Sequence, residues 1–261
     1  MRAEPAGGLT EAGRGADRGQ VASLTLFRFP TLYDKHWALW QMLLLRRALK
    51  RLPGVGFLRM VGTGSREGFF PWPDFGCYGL LATWPSLDHA RAQVQGSAPY
   101  RAYRDHASET VSFYLRPTRS RGAWGGAAPF APQPSGGGNP LAVLTRASIR
   151  PRHMLAFWGR TPAIRASIPR SEALRFQAGM GEVPWLNQIT FTVWTDSAAL
   201  RAFAHDPAGP HGAAAEAARR RGWFAEELFA RFDVLACEGV WRGKAVLDDH
   251  PAMAAATGNS A

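Results

Sequence analysis

Cysteine, long apolar runs and lysine are all scarce in this chain. Its 261 residues include two cysteines, Cys77 and Cys237, and no CxxC pair, so the sequence offers no thiolate set for zinc or an iron–sulfur cluster. Both cysteines lie in strand-like runs, "FGCYGLLATW" and "FDVLACEGVW", which indicates small buried hydrophobic side chains. No run of roughly 18 apolar residues occurs, which argues against a membrane-spanning helix.

The positive charge, formally +11, comes almost wholly from arginine, because Lys35, Lys50 and Lys244 are the only lysines. No zinc-finger, RRM or recognition-helix pattern accompanies the arginines, so nucleic acid is not an expected partner. A diffuse positive field is suited instead to contact with an anionic membrane surface. The arginines expected to contribute are Arg28, Arg46, Arg47, Arg51, Arg150 and Arg152.

The two ends of the chain have no apolar periodicity. Residues 1–20 are rich in Gly and Ala and have no apolar signal core, so they are interpreted as a disordered leader and not as an export signal. Residues 244–261 are interpreted as a flexible tail. A cytoplasmic protein, or one peripheral on the inner membrane, is therefore expected.

The order strand, helix, strand, strand, helix, strand occurs twice, over residues 21–117 and 141–243, around a Pro- and Gly-rich linker at 118–140. Trp84 corresponds to Trp194, and Trp124 to Trp241. Each βαββαβ unit is ferredoxin-like, and two such units bury their bare sheet faces against each other. The predicted fold class is α+β, with tandem ferredoxin-like repeats forming a fused dimeric α+β barrel.

One of the seven histidines stands apart from the rest. His36, His89 and His106 lie among charged helix residues, which indicates solvated side chains. His211 follows a Gly-Pro pair and precedes the small residues 212–215, so a helix starting there would leave open space beside it. A flat macrocycle with imidazole bound to its iron would use that space. The alternative is a histidine in the first turn of an ordinary helix.

Other catalytic patterns are weak. "GTGSREG" fails as a dinucleotide fingerprint, and neither Ser65 nor Ser171 has a GxSxG context. The hairpin-like "GMGEVPWLNQITF" carries Met180, Trp185 and Phe191 in a chain with ten Trp, fifteen Phe and six Met. These three residues are either plain barrel core or the lining of a long apolar pocket for a large hydrocarbon-like ligand.

Several long blocks resemble the spheroidene monooxygenase family of acyclic carotenoid biosynthesis. They include "GFLRMVGTGSREGFFPWPDFG", "LRPTRSRGAWGGAAPF", "VLTRASIRPRHMLAFW" and "GPHGAAAEAARRRGWFAEELFARF", and the likeness covers roughly residues 21–243. The resemblance implies a haem-dependent enzyme that uses O₂ and a ferredoxin-type donor. Its implied reaction is oxygenation at C2, converting spheroidene to spheroidenone by sequential hydroxylation. The family's PHGAA block matches from Pro210, which implies that His211 is the axial haem ligand.

Two other functions remain open at the level of sequence. Small α+β barrels also include cofactor-free monooxygenases, in which an electron-rich substrate itself reduces oxygen. A haem or carotenoid carrier without turnover is the second alternative. A cofactor-free monooxygenase would lack a haem absorption band. A haem carrier would show the band without an O₂-dependent product.

Overall fold

A computed structural model describes residues 19–64, 72–137, 140–159, 172–195, 197–198, 200 and 221–247 of the chain. Within these residues the fold is α+β, an eight-stranded antiparallel barrel with few helices. The strand order around the barrel is β1-β3-β2-β6-β7-β5-β8-β4. The strands are β1 (Val21–Arg28), β2 (Leu58–Gly64), β3 (Pro73–Trp84), β4 (Glu109–Gly122), β5 (Leu141–Ile149), β6 (Leu174–Gly181), β7 (Asn187–Trp194) and β8 (Phe224–Gly239).

Helices lie in the connections between strands. A threonine N-cap starts the first, since the Thr31 side chain accepts a hydrogen bond from the Asp34 amide, and Ser86 caps α3 in the same way through the His89 amide. A short 3₁₀ turn at Pro151–His153 precedes the last helix. The helices are α1 (Leu32–Leu44), α2 (Arg46–Lys50), α3 (Leu87–Gly96), α4 (Ala98–His106) and α5 (Met154–Trp158).

Two seams join the strands of the first half, β1–β4, to those of the second half, β5–β8. At one seam β2 pairs with β6, and Gly62 lies opposite Gly181. At the other, β4 pairs with β8 over a long ladder in which Arg116 lies opposite Asp233. Because both seams are hydrogen-bonded, the eight strands close into one barrel without a free edge.

Alternation along each strand divides the side chains between two apolar layers. One set points into the barrel and forms a core in which Phe113 of the first half packs on Phe176 and Phe191 of the second, with ring centroids 4.8 and 5.2 Å apart. The opposite set on β1–β4 packs outward against the helices, and Phe27 and Tyr103 stack there at 5.1 Å.

Strand β4 extends to Gly122, five residues into the segment that the sequence indicates as a linker. Beyond it, Trp124 bridges to Ala127 and both Trp124 and Phe130 are buried against the barrel core. The Asp233 carboxylate accepts hydrogen bonds from the Ser135 hydroxyl and the Gly136 amide, which fixes the later part of the segment to β8. None of the helices in the described ranges has the length and apolarity needed to cross a bilayer.

Candidate functional site

An apolar groove lies over the seam between β2 and β6. It encloses about 230 Å³ and is bordered by α1 on one side and by the β6–β7 turn and α5 on the other. Both halves of the barrel therefore contribute to it. The residues that line it are Leu39, Met42, Gly62, Thr63, Gly64, Pro73, Asp74, Phe75, Tyr78, Trp158, Met180, Gly181, Glu182, Pro184, Trp185, Asn187 and Gln188.

Tryptophans form the rim of this groove on the side of the second half. Trp185 adopts a left-handed backbone conformation, with φ at 66°, in the turn between β6 and β7. Its ring meets that of Trp72 edge to face at 6.2 Å, and its carbonyl accepts a hydrogen bond from the Trp158 indole at 2.9 Å. These contacts hold an exposed aromatic ring at the rim of the groove, where it can contact an apolar ligand.

A network of ion-paired side chains lies between the groove and the barrel interior. Arg146 is 6% exposed and forms ion pairs with Glu226 and, at 3.7 Å, with Glu182. Arg59 pairs with the same Glu182 at 3.0 Å, and the Trp124 indole donates a hydrogen bond to it at 2.7 Å. Because Glu182 also lines the groove, the network connects the groove to the barrel interior.

Opposing effects shift the pKa of the Glu226 carboxyl group. Burial raises its pKa, whereas hydrogen bonds from the amides of Gly126 and Gly125 and the contact with Arg146 lower it. The net result is a pKa below the ordinary value of 4.5, so Glu226 is ionised at neutral pH. Arg146 therefore has a permanent anionic partner, which a buried guanidinium requires.

Tyr78 lines the groove on the side of the first half. Its hydroxyl is buried and has no hydrogen-bond partner among the described residues. Burial raises the pKa of Tyr78 to about 12, so the phenol stays protonated at neutral pH and remains a hydrogen-bond donor.

The outer face of the barrel differs between its two halves. In the first half Met60 pairs with Leu80 and Phe27 pairs with Tyr78, and all four side chains pack under the helices. In the second half the corresponding pairs are Gly179 with Thr190 and Ala147 with Gln188, so three of the four residues are small.

This small-residue face adjoins the groove. Gly181 and Gln188 line the groove, and Gly179 and Thr190 lie two residues further along the same strands. Two residues of strand span ~7 Å, and every second residue shares a face. The small-residue face therefore begins next to the end of the groove.

The structure separates the three residues proposed from sequence to line an apolar pocket. Met180 and Trp185 line the groove. Phe191 does not line it: it is fully buried inside the barrel, where strand alternation points it toward Phe113. His211 lies outside the described residues.

Several other expectations concerned titratable residues. His106 is not simply solvated, since it stacks on Trp37 at 3.9 Å and pairs with Asp34 at 2.9 Å. His89 contacts the carbonyl of Pro53 at 2.6 Å.

Cys77 is buried as predicted, and burial raises its pKa to about 12, so its thiol is not reactive at neutral pH. Within the described ranges, no group of three or more His, Cys, Asp or Glu side chains is placed to hold a metal ion.

The sequence reasoning missed the groove residues of the first half and the whole charged network. Leu39, Met42 and Phe75 become neighbours of Met180 only across the seam between β2 and β6. The Arg146–Glu226 pair joins residues 80 positions apart. The sequence did contain a weak indication of the network. Arg146 lies at an inward position of β5, and a buried arginine needs an acidic partner.

Comparison with known proteins gives three relatives with the same name. Spheroidene monooxygenase of Rhodobacter capsulatus is 42% identical over 86% of this chain and 94% of its own length. The Cereibacter sphaeroides protein of that name is 38% identical, covering 86% of this chain and 70% of the relative. The Rubrivivax gelatinosus protein of that name is 36% identical, covering 74% of this chain and 73% of the relative. No family model matches the chain.

Among solved structures, an aldoxime dehydratase in complex with butyraldoxime superposes with a TM-score of 0.51 at 12% sequence identity. The match covers 84% of this chain and 82% of that one. A second aldoxime dehydratase structure gives the same TM-score at 10% identity. At this level of identity the likeness concerns the fold alone.

Proposed function

The chain belongs to the spheroidene monooxygenase family, and we propose that it oxygenates C2 of a methoxylated acyclic carotenoid such as spheroidene. The observation that supports this most is the apolar groove at the β2–β6 seam, which ends beside a small-residue face of β6 and β7. An extended polyene offers almost no polar groups, so its recognition depends on apolar contact along a groove of this kind.

The residues of the groove bind and orient the chain of the substrate. Leu39, Met42 and Phe75 supply one apolar wall, and Trp185 supplies a rim on the other side. Contact along both walls removes water from the bound polyene and fixes which carbon reaches the reactive end. The polar Glu182 and Tyr78 lie at the edges of the same groove, where they are placed to contact an oxygen substituent.

The reaction is two successive oxygen insertions at one carbon. Each insertion replaces a C–H bond by C–OH with one atom of O₂, and two electrons and two protons reduce the other atom to water. The second insertion gives a gem-diol, which loses water to leave a ketone. A ferredoxin-type protein is the proposed electron donor.

We propose haem as the cofactor, bound against the outer face of β5–β7. Gly179, Thr190 and Ala147 present a floor of small side chains there, where the first half has Met60 and Leu80 among larger residues. A flat ring needs such a floor, so the described residues fit the group. When bound, haem supplies the activation of O₂.

His211 is the proposed axial ligand. It belongs to the stretch of chain between β7 and β8, as α3 and α4 belong to the stretch between β3 and β4. In the first half, α4 places Tyr100 and Tyr103 on the outer face of the strands. A neutral imidazole at residue 211 would hold the haem iron, and the haem would supply the activation of O₂.

The barrel is proposed to be a fused pair of ferredoxin-like βαββαβ repeats. Val21 pairs with Trp84 at the start of β1, and Leu141 pairs with Trp194 at the start of β5. Trp124 and Trp241 each form an isolated bridge to the third residue after it. These equivalent positions support a duplication in which the second copy acquired the cofactor face.

The test replaces His211 in the full chain and fills the proposed cofactor face separately. We expect His211→Ala to lose the Soret band, and Gly179→Met with Thr190→Leu, which imports the first-half residues, to lower haem occupancy at least about tenfold. The control His153→Ala should keep full occupancy. Haem content is measured by absorbance after haem-supplemented expression, and product by the pigments of spheroidene-accumulating cells.

Each pattern of results separates the proposed function from its rivals. A product without any Soret band would establish a cofactor-free monooxygenase. A stable Soret band with no O₂-dependent product would indicate a carrier. An unchanged spectrum in the His211→Ala protein would remove the ligand assignment.

A further inference from the structure

Helix α1 exposes the larger part of its apolar surface. Leu32, Trp40, Leu43 and Leu44 are between 61% and 75% exposed, and Leu39 is 45% exposed. At 100° per residue these five positions lie within an arc of roughly 140° on one side of the helix. The opposite side of α1 packs Trp37, Ala38 and Met42 against the protein, and Asp34 pairs there with His106. An exposed apolar stripe of this size is unusual on a protein surface that meets only water.

The apolar stripe continues into the rim of the groove. Leu39 belongs to both, and Phe75, Trp185 and Trp72 add exposed rings around the same opening. The opening of the groove is therefore continuous with the apolar surface of α1, and the charged Asp74 and Glu182 are also among the residues that line the groove. A ligand that left an apolar phase covering this surface would enter the groove without crossing water.

A cluster of basic side chains follows the stripe directly in the chain. Arg46, Arg47, Lys50 and Arg51 are all exposed, and no acidic residue in the described part of the chain forms an ion pair with them. Tryptophan and leucine on one face with adjacent Arg and Lys is the composition of helices that lie in a lipid interface. The basic cluster is complementary to anionic headgroups.

We propose that the surface formed by α1, α2 and the rim of the groove docks on an anionic lipid bilayer, with Trp40, Leu43 and Leu44 entering the interface. The proposal deepens the proposed function, on which it rests for the lipid-soluble nature of the substrate. Lipid binding needs neither cofactor nor turnover, so it is measured independently of catalysis.

The test is sedimentation of the full chain with vesicles made of equal parts phosphatidylglycerol and phosphatidylcholine, compared with phosphatidylcholine alone. We expect the wild type to bind the anionic vesicles at least about tenfold more strongly, and this preference to fall with added salt. Trp40→Ser with Leu43→Ser should weaken binding at least about tenfold. Neutralising the cluster with R46Q, R47Q and K50Q should weaken it by about fivefold per charge at low salt.

Control variants change exposed residues elsewhere on the protein. Val240→Ser removes an exposed apolar side chain after β8, and R101Q with R119Q removes two exposed charges, so both controls should bind within about twofold of wild type. Circular dichroism and the thermal midpoint check that every variant is folded. The proposal would be overturned if the Trp40→Ser/Leu43→Ser variant bound the vesicles as strongly as the wild type. It would also be overturned if the wild type showed no preference for anionic vesicles. A dimer in light scattering that the same variant converts to monomer would overturn it too, because a second copy would then cover the surface.

Discussion

At the scale of single residues, Arg146 and Glu226 depend on each other. Arg146 is almost fully buried, and its Nε atom has no hydrogen-bond partner among the described residues. Its charge is compensated there chiefly by Glu226 and more distantly by Glu182. The guanidinium also lies 5.3 Å from the centroid of the Trp124 ring. Removing one charge here leaves the other in a site with little water.

We expect Glu226→Gln to lower the free energy of unfolding by about 1.5–3 kcal/mol at pH 7, the range for a hydrogen bond to a charged group. Because the folded-state pKa of Glu226 lies below 4.5, its contribution is complete above that value and is lost as the pH falls through the folded pKa. The wild-type and variant stabilities should therefore converge in acid. Urea unfolding at pH 7 and pH 3 measures both effects, and the exposed Asp105→Asn is the control. A difference that persists unchanged at pH 3 would contradict the assignment.

The residue scale also shows what the sequence can and cannot predict about the site. Met180 and Trp185, which flank a glycine-containing turn, both line the groove, and their contact with a substrate stays a prediction. Phe191 was assigned with them, although the alternation Ile189, Phe191, Val193 already indicates a side chain inside the barrel. The partners of Arg146 were not predictable, because no local pattern specifies a contact made across 80 residues.

At the scale of elements, the β6–β7 hairpin places the rim of the groove. Gly181 ends β6, and a Cβ atom there would lie 2.6 Å from the carbonyl oxygen of Asn187. The turn can close only because this position has no side chain. This turn contains Trp185, whose carbonyl accepts the hydrogen bond from the Trp158 indole.

Gly181→Ala should therefore destabilise the protein by about 1–3 kcal/mol and displace the turn that carries Trp185, because the clash is with backbone. Gly62 lies opposite Gly181 in the β2–β6 ladder, yet a Cβ there would meet only the Tyr78 ring at 3.9 Å. Gly62→Ala is thus the matched control and should change stability by less than about 1 kcal/mol. Thermal and urea unfolding of both variants test the contrast, and equal losses would show that the hairpin can shift at little cost.

The elements themselves were largely predictable. The segment "ITFTVW" alternates and contains β-branched residues, which indicates a strand, and it lies in β7. The apolar stretch after His36 has the periodicity of an amphipathic helix, and α1 is a helix, but its apolar residues do not all face inward. Periodicity reports which residues share a face of a helix, and it does not say whether that face meets the protein or something else.

At the scale of the whole molecule, the barrel core belongs to neither half alone. Phe113 comes from β4 and packs on Phe176 and Phe191 from β6 and β7. Both seams between the halves are hydrogen-bonded ladders, and Leu24 and Val234 lie in the same buried cluster. Each half would expose its inner apolar face if the other unfolded, so independent unfolding of one half is strongly unfavourable.

The chain is accordingly expected to unfold in one cooperative transition although its order of elements suggests two units. Phe113→Ala should lower the free energy of unfolding by about 3–5 kcal/mol through the cavity it leaves between the halves, and should keep a single transition. Tryptophan fluorescence, with Trp84 in the first half and Trp194 in the second, and far-UV circular dichroism should give the same urea midpoint for wild type and variant. Tyr103→Phe changes a fully buried ring under the helices without opening a cavity in the barrel, and serves as the control. Two separated midpoints in the Phe113→Ala protein would mean that each half is stable without the core they share.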